Sequence, residues 1–528
     1  MQRIALPYRA TGRFSPLVCD LLDDAPALAE HRVFRPDLAG LKAAAAQRRF
    51  DPAMRIALGA VLRRQYEGMR VHPAVAANLE ALRRDDALTV TTGHQLCLFT
   101  GPLYVPFKLL NAVRLARTLT QELGRPVVPV FWMATEDHDR AEIDHAWLGA
   151  HKVHWPGEAG GPVGRLALDG IGPVLDAVAQ QLGTGEEAAR LVALLRECYR
   201  PERTLTEATR RFVDALFGRF GLVVLDADDP ALKRAFVPVM REELLNEVTQ
   251  RTVSYANERL AGPYGVQAHA RAINVFHLRP GHRARIVQEE GRYRALDGGP
   301  TWTVDELLAE VELRPQDFSP NVLLRPVYQE TILPNIAYIG GGGELAYWMQ
   351  LRWLFQGLQV PMPAVLLRTS AAFLPAKLLR LWREEGLSVE DLFAPLEPLQ
   401  ARAAIAKAAF DTGVEEERAR LNALYDALLA RATAADPTLK GAVEAGRTRA
   451  LQGLDHLGLR LVRAAKRQQR TTLDRMARVH EALFPGGGLQ ERRDNILPLL
   501  AARGEGLLDE LLERLDPLDP HFSLLIED

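Results

Sequence analysis

Two apolar runs that each break into polar, reactive residues, with one amphipathic stretch between them, constrain this chain more than any other feature. Leu88-Thr89-Val90-Thr91-Thr92 gives way to Gly93-His94-Gln95, and Val127 to Ala134 gives way to Glu136-Asp137-His138-Asp139. Between them, Pro106 to Leu119 sets Phe107, Leu110, Val113, Leu115 and Leu119 among Lys108, Arg114 and Arg117, behind Gly101-Pro102. That spacing predicts a crossover helix joining two strands, a β-α-β unit. Open α/β sheets bind ligands beyond the carboxyl ends of their strands, so His94, Gln95 and the Glu136 to Asp139 cluster are expected at one crevice. Such a placement favours an enzyme over a scaffold.

The bulk properties narrow the class. With 528 residues and 48% hydrophobic content the chain can fill roughly two to four domain cores. A formal charge of -2 provides no global field for nucleic acid or an acidic membrane, so neither partner is expected and anion binding must be local. Cys19, Cys97 and Cys198 are odd in number and far apart, which argues against a disulfide framework or a cysteine zinc site and fits a reducing cytoplasm. Met1 to Thr11 has no apolar signal core, and no apolar run is long enough to span a bilayer.

Along the chain, residues 1–150 read as the first part of an α/β core and 151–218 as an insertion, loop-rich to 170 and helical to Gly218. Residues 219–240 resume the core, with Gly221 to Leu225 as a strand running into Asp226-Ala227-Asp228-Asp229-Pro230. Residues 241–318 form a small α+β insertion, with a hairpin around Glu289-Glu290-Gly291. Residues 319–386 return to the core: Ile336 to Ile339 feeds four glycines, a helix from Glu344 to Leu358, and a strand at Ala364 to Leu367. In 387–485, Val414, Leu421, Leu424 and Leu428, then Leu457, Leu461, Ala464, Met476, Val479 and Leu483, keep helical spacing about Asp436-Pro437. This predicts an antiparallel helical hairpin whose second helix runs from Lys440 to about Leu483, and a homodimer made through its apolar seam. The tail, 486–528, ends in an apolar Phe522 to Ile526 expected to dock on a core.

Several residues carry chemistry. Gly340, Gly341, Gly342 and Gly343 follow a strand and open a helix at Glu344, which serves either as a cradle of N–H groups for phosphate or carboxylate or as a tight turn. Neither a G-x-G-x-x-G nor a G-x-x-x-x-G-K-[ST] motif is present. Glu136, Asp137, His138 and Asp139 can supply a general base, hold Mg²⁺ or orient an amine, with about two of the four expected to point inward because adjacent side chains diverge. His94 suits hydrogen bonding or acid/base work, or caps the next segment. Cys97, between Leu96 and Leu98, reads as a small core residue. Arg325, Tyr328 and Gln329, beside Asn321, can clamp carboxylates or form a structural ion pair. Between Lys440 and Val479, ten Lys or Arg against three Asp or Glu, without interleaved aromatics, read as a solvated helical face. A metal-dependent hydrolase or nucleotidyl transferase using His138, Asp139 and His145, and a non-catalytic dimeric binding protein, are the competing readings; no tightly bound metal is expected, because the spacing matches no zinc motif.

Taken together, T-T-G-H-Q-L-C-L-F-T-G-P-L-Y at 91–104, P-V-F-W-M-A-T-E-D-H-D at 129–139, G-L-V-V-L-D-A-D-D-P at 221–230, N-V-L-L-R-P-V-Y-Q-E and Y-I-G-G-G-G-E-L-A-Y-W within 321–348, and the tail L-Q-E-R-R-D-N closely resemble the bacillithiol-synthesis cysteine-adding ligase family. The resemblance spans nearly the whole chain. It implies a Rossmann-like parallel-sheet core with inserted connecting-peptide modules and a long antiparallel α-helical coiled-coil arm that makes a homodimer. It further implies ligation of L-cysteine to the amine of glucosaminyl malate, the last step of bacillithiol synthesis. That chemistry needs carboxylate activation, expected from ATP or another nucleotide with Mg²⁺. The expected catalytic group is His94, Gln95, Glu136, Asp137, His138 and Asp139. Thr92, Gly93, Tyr104, Asn321, Arg325, Tyr328 and Gln329 are expected to bind substrate, and Lys108 with Gly340 to Glu344 to bind phosphate.

Overall fold

The computed structural model describes residues 1–158 and 160–527. Its central sheet has five strands, β1 (Leu88–His94), β2 (Val127–Met133), β3 (Val223–Asp226), β4 (Asn335–Gly340) and β5 (Ala364–Leu367), in the order β5-β4-β1-β2-β3. Every pairing is parallel. The chain winds outward from β1 to β3, then returns to lay β4 and β5 on the other side of β1. The order reverses between β1 and β4, which is where ligands bind in doubly wound sheets.

Burial on both faces explains the near-continuous apolar runs of these strands. Val128, Val130 and Trp132 of β2 pack into one core, and Phe131 and Met133 into another, the two-residue alternation of a strand. The threonines of β1 interrupt its apolar run, and β4 satisfies them. Thr89 and Thr91 donate to the side-chain carbonyl of Asn335 at 3.2 and 2.9 Å, and Thr92 donates to Ile339 O at 2.8 Å. Helix α1 (Tyr104–Leu123) joins β1 to β2, two residues longer at its start than the apolar spacing indicates, and stops at left-handed Gly124. Helix α2 (Pro230–Asn246) follows β3 and runs across the boundary expected at residue 240; Asp229 caps it through Ala231 N–H, and Pro230 starts it.

Three differences from the sequence reading have local causes. His151–His154 is a strand, not a loop, because it pairs with His145–Leu148. The helix expected from Glu344 to Leu358 is two: α3 (Gly342–Trp348) and a second over Arg352–Gly357. The buried Gln350 sits at the break, its side chain bonded to Ala268 N–H and Ala268 O. The long arm helix is also divided, as described below.

The insertion before β4 holds a five-stranded antiparallel sheet, in the order Thr301–Trp302, Arg292–Ala295, His282–Glu289, Val275–Arg279 and Phe318–Pro320. It brings Arg283 and Asn321 over the carboxyl edge of the central sheet. At the far end of the chain, α4 (Glu415–Ala435) and α5 (Lys440–Gln468) form the antiparallel hairpin, and α6 (Arg470–Leu483) continues it after a break at Gln469, whose amide donates to Lys407 O. Leu424, Leu428 and Leu457 on the hairpin are 56%, 38% and 56% exposed. In the tail, His521–Glu527 lies between Gln2–Pro7, antiparallel, and Ala371–Pro375, parallel, tying both ends of the chain together. Among the described residues no helix is long and apolar enough to cross a membrane.

Candidate active site

A cavity of about 400 Å³ opens at the switch point, within the size range of small-molecule sites. Its floor comes from the ends of β1, β2 and β4, which contribute Gly93, His94, Trp132, Ala134, Glu136 and the Gly341 to Glu344 turn. Tyr104 enters from α1, Arg283, Pro320, Asn321 and Val322 from the inserted sheet and the loop after it, and Arg368 and Arg492 from distant segments.

Two carboxylates after β2 stand in different environments. Asp137 is partly buried, which alone raises its pKa; the amide of Gln95, 2.7 Å away, and the Arg283 guanidinium outweigh that and hold it below the usual carboxylate range. Glu136 is raised, burial outweighing the attraction of the Lys233 ammonium. Adjacent carboxylates with divergent affinities for a proton suit an ionised cation anchor beside a proton acceptor. His94 is neutral near pH 7, since burial and then Lys108 lower it to about 4. Its Nδ1 lies 3.0 Å from Gln95 O and so carries the hydrogen, leaving Nε2 to accept from the Tyr104 hydroxyl at 2.9 Å. The imidazole is a fixed hydrogen-bonding group here, not an acid.

The basic groups come from four separate segments. Arg325 lies 5.8 and 5.5 Å from the Trp132 and Tyr338 ring centroids and donates to Gln329 Oε1 at 3.1 Å. Arg283 donates to Ser319 Oγ and Pro320 O, and to His138 Nδ1 at 3.2 Å. Arg368 makes a bidentate pair with Glu491 at 2.9 and 2.7 Å, leaving its buried Nε without a partner among the described residues. That nitrogen lies beside Gly341. Gly342 and Gly343 line the same part of the cavity, and their first-turn N–H groups have no intrahelical acceptor.

Of the expected site residues, Gly93, His94, Gln95, Tyr104, Glu136, Asp137, Asn321, Arg325, Gly341, Gly342, Gly343 and Glu344 line the cavity. The others do not, each for a local reason. Thr92 is spent on Ile339 O, and Tyr328 is fully buried with its hydroxyl on Ala227 O at 2.7 Å. Gln329 is buried and bridges Arg325 to Glu330. Gly340 packs under Glu344, Tyr338 and Leu345. Lys108 is no free phosphate cation: its buried ammonium donates to Gly93 O at 2.5 Å and Glu344 Oε2 at 2.7 Å. Glu344 also accepts from Gly341 N–H and the Tyr338 hydroxyl, so it locks the glycine turn from below. His138 and Asp139 are exposed and outside the cavity lining, and His145 pairs with Asp144 on the neighbouring hairpin, so the three residues of the hydrolase reading form no common site. Among the described residues no group of three or more His, Cys, Asp or Glu is placed to hold a metal. Cys97 is buried and its thiol is pushed up to about 12 by burial.

Sequence reasoning missed Arg283, Arg368, Glu491, Arg492 and Lys233. Glu491 and Arg492 lie in the L-Q-E-R-R-D-N segment, whose charge density in an apolar tail was the available signal. Arg283 follows a hairpin turn and carries no local signal.

Fold and cavity define a Rossmann-like α/β protein with a small-molecule site at the carboxyl edge of its parallel sheet and a C-terminal coiled-coil arm. Residues 1–369 match the family model "Bacillithiol biosynthesis BshC, N-terminal Rossmann-like domain", and 371–527 match "Bacillithiol biosynthesis BshC, C-terminal coiled-coil domain". A Flavobacterium johnsoniae protein named "Putative cysteine ligase BshC" is 36% identical over 98% of this chain and 99% of its own. Proteins of the same name from Salinibacter ruber and Geobacillus kaustophilus are 33% and 30% identical, over 96% and 85% of this chain and 95% and 86% of theirs. The chain belongs to the BshC family of bacillithiol biosynthesis.

Proposed function

We propose that the chain is an amide-forming ligase that adds L-cysteine to the amine of glucosaminyl malate, completing bacillithiol. The observation that carries this reading is the pairing of an ionised Asp137 with a basic Glu136 in a cavity that also receives four arginines. One substrate supplies an amine that must lose a proton, and both supply carboxylates. Asp137, ordered by Gln95 and Arg283, holds a substrate ammonium. Glu136 accepts the proton as the amine becomes the nucleophile. Arg325, braced by Gln329, receives the malate carboxylates, with Asn321 beside it. His94 and Tyr104 orient the substrate without changing charge.

A cysteine carboxylate is a poor electrophile, and ATP or another nucleotide with Mg²⁺, when bound, supplies its activation. Arg368 Nε, unpartnered among the described residues, with Arg492 and the N–H groups of Gly342 and Gly343, fits an anionic group of that kind. The exposed leucines of the arm support a homodimer, and three unpaired buried cysteines support a reducing, cytoplasmic setting.

Incubating the purified chain with L-cysteine, glucosaminyl malate and MgATP, followed by mass spectrometry, tests the assignment. The expected product is heavier than the amine by one cysteine less one water, and its formation falls at least about a hundredfold in Glu136→Gln, the usual span for a general base. Full activity in a folded Glu136→Gln protein removes Glu136 from the chemistry.

A further inference from the structure

Lys233, one turn into α2, is buried beneath the cavity. Its Nζ lies 2.6 Å from Glu136 Oε1, 2.8 Å from Asp228 Oδ1 and 2.9 Å from Phe318 O. Gln316 O, at 3.4 Å, is a further acceptor. An ammonium set between two carboxylates, with carbonyl oxygens completing its surroundings, is held in its charged form. Asp228 has a second cation, since Arg165 grips it in a bidentate pair at 2.8 and 2.9 Å. Among the described residues no guanidinium pairs directly with Glu136; that of Arg283 is taken by Ser319, Pro320 and His138.

We propose that Lys233 is a positioning residue for the ligation described above, holding Glu136 ionised and fixed at the cavity floor so that it takes the proton from the substrate amine. In that step one proton passes from the substrate ammonium to the Glu136 carboxylate, leaving a neutral amine and a neutral acid. The inference rests on the proposed ligase reading for its chemistry and on the buried triad for its geometry.

Lys233 is the strongest of the cations around Glu136, and Arg165 and Arg283 act on it more weakly. Asp228, just beyond β3, sets negative charge beside it, and Asp226, held by Thr135 at 2.6 Å, acts in turn on Asp228. Asp137 adjoins it in the chain, and the buried Tyr328 ring on the neighbouring helix adds no cation. Arg283 attracts it from the inserted sheet, but more weakly than Lys233. Removing the ammonium leaves a buried carboxylate beside that of Asp228, and such a group takes up a proton instead of accepting one from substrate.

The test is the pH dependence of kcat/KM for cysteine transfer by the full-length chain. Lys233→Met moves the acid limb upward by about one pH unit or more, so the loss is large in acid and recovers in base. Lys233→Arg restores the limb toward its original position. Asp228→Asn, which removes a competing negative charge and does not depend on the lysine variants folding, moves it the other way. A uniform fall in rate with an unmoved limb in Lys233→Met, or an unmoved limb in Asp228→Asn, overturns the proposal.

A second measurement separates this inference from the ligase reading. If the wild-type chain forms no cysteine adduct, the reading fails and a stability cycle of Lys233→Met with Glu136→Gln decides the pairing. Glu136→Gln is expected to destabilise the wild type but to be neutral or stabilising beside Lys233→Met. Additive effects overturn the pairing whatever the activity.

Discussion

Glu344 shows how a charged side chain can look like a ligand-binding group in sequence and serve the fold in structure. Lys108, the Tyr338 hydroxyl and Gly341 N–H all converge on it, and, although burial opposes ionisation, they hold its pKa at about 2 against an ordinary 4.5. A depressed carboxylate contributes stability that is complete above its unfolded value and lost as pH falls toward the folded one. The window is therefore about pH 4.5 down to 2, with on the order of 3 kcal/mol at stake. Glu344→Gln should lower the neutral-pH denaturation midpoint and flatten its decline through that window; an unchanged acid limb would show that another carboxylate controls it. Arg325 and Tyr328, three residues apart, should separate cleanly. Arg325→Lys keeps the charge but loses the planar fork, and is expected to raise KM for the amino sugar about tenfold or more. Tyr328→Phe leaves Ala227 O without its partner at a cost of about 1 kcal/mol, with KM unchanged, as denaturation and steady-state kinetics would show.

At the scale of elements, the strands were the legible part. β1, β2, β3, β4 and β5 announce themselves as short apolar runs, and their polar endings place the crevice before any coordinate is known. Helix continuity was not legible. Helical spacing continues smoothly through Gln350 and Gln469, whereas the backbone groups their side chains bond at the breaks, on Ala268 and Lys407, are distant in sequence. Residues drawn to the site from distant segments were likewise hidden, because no local pattern says that Arg368 and Glu491, over a hundred positions apart, form one buried pair. The turn after β1 depends on the tail in the same way. Phe99 and Thr100 adopt left-handed backbone at φ 55° and 73°, a strained arrangement for residues with side chains. The Asn495 amide clamps it by donating to Phe99 O and Gly101 O at 2.9 and 2.7 Å. Asn495→Ala should cost roughly 1–3 kcal/mol of stability and slow ligation as well, since Tyr104 follows directly; a stable variant with wild-type rates would mean the turn holds itself.

For the whole molecule, the tail strand between Gln2–Pro7 and Ala371–Pro375 couples the two family domains into one folded unit, while Leu424, Leu428 and Leu457 on the arm stay exposed. The proposed dimer predicts that Leu424→Glu with Leu457→Glu yields a monomer by light scattering with helical circular dichroism retained; a persistent dimer would place the interface elsewhere. The central claim concerns chemistry, and it is tested most directly by mass spectrometry of low-molecular-weight thiols in cells lacking this chain, with wild type or a Glu136→Ala, Asp137→Ala variant restored. Accumulation of glucosaminyl malate in the deleted strain, with its cysteine adduct recovered by wild type alone, is the expected result. Unchanged thiols in all three strains would contradict the ligase function outright.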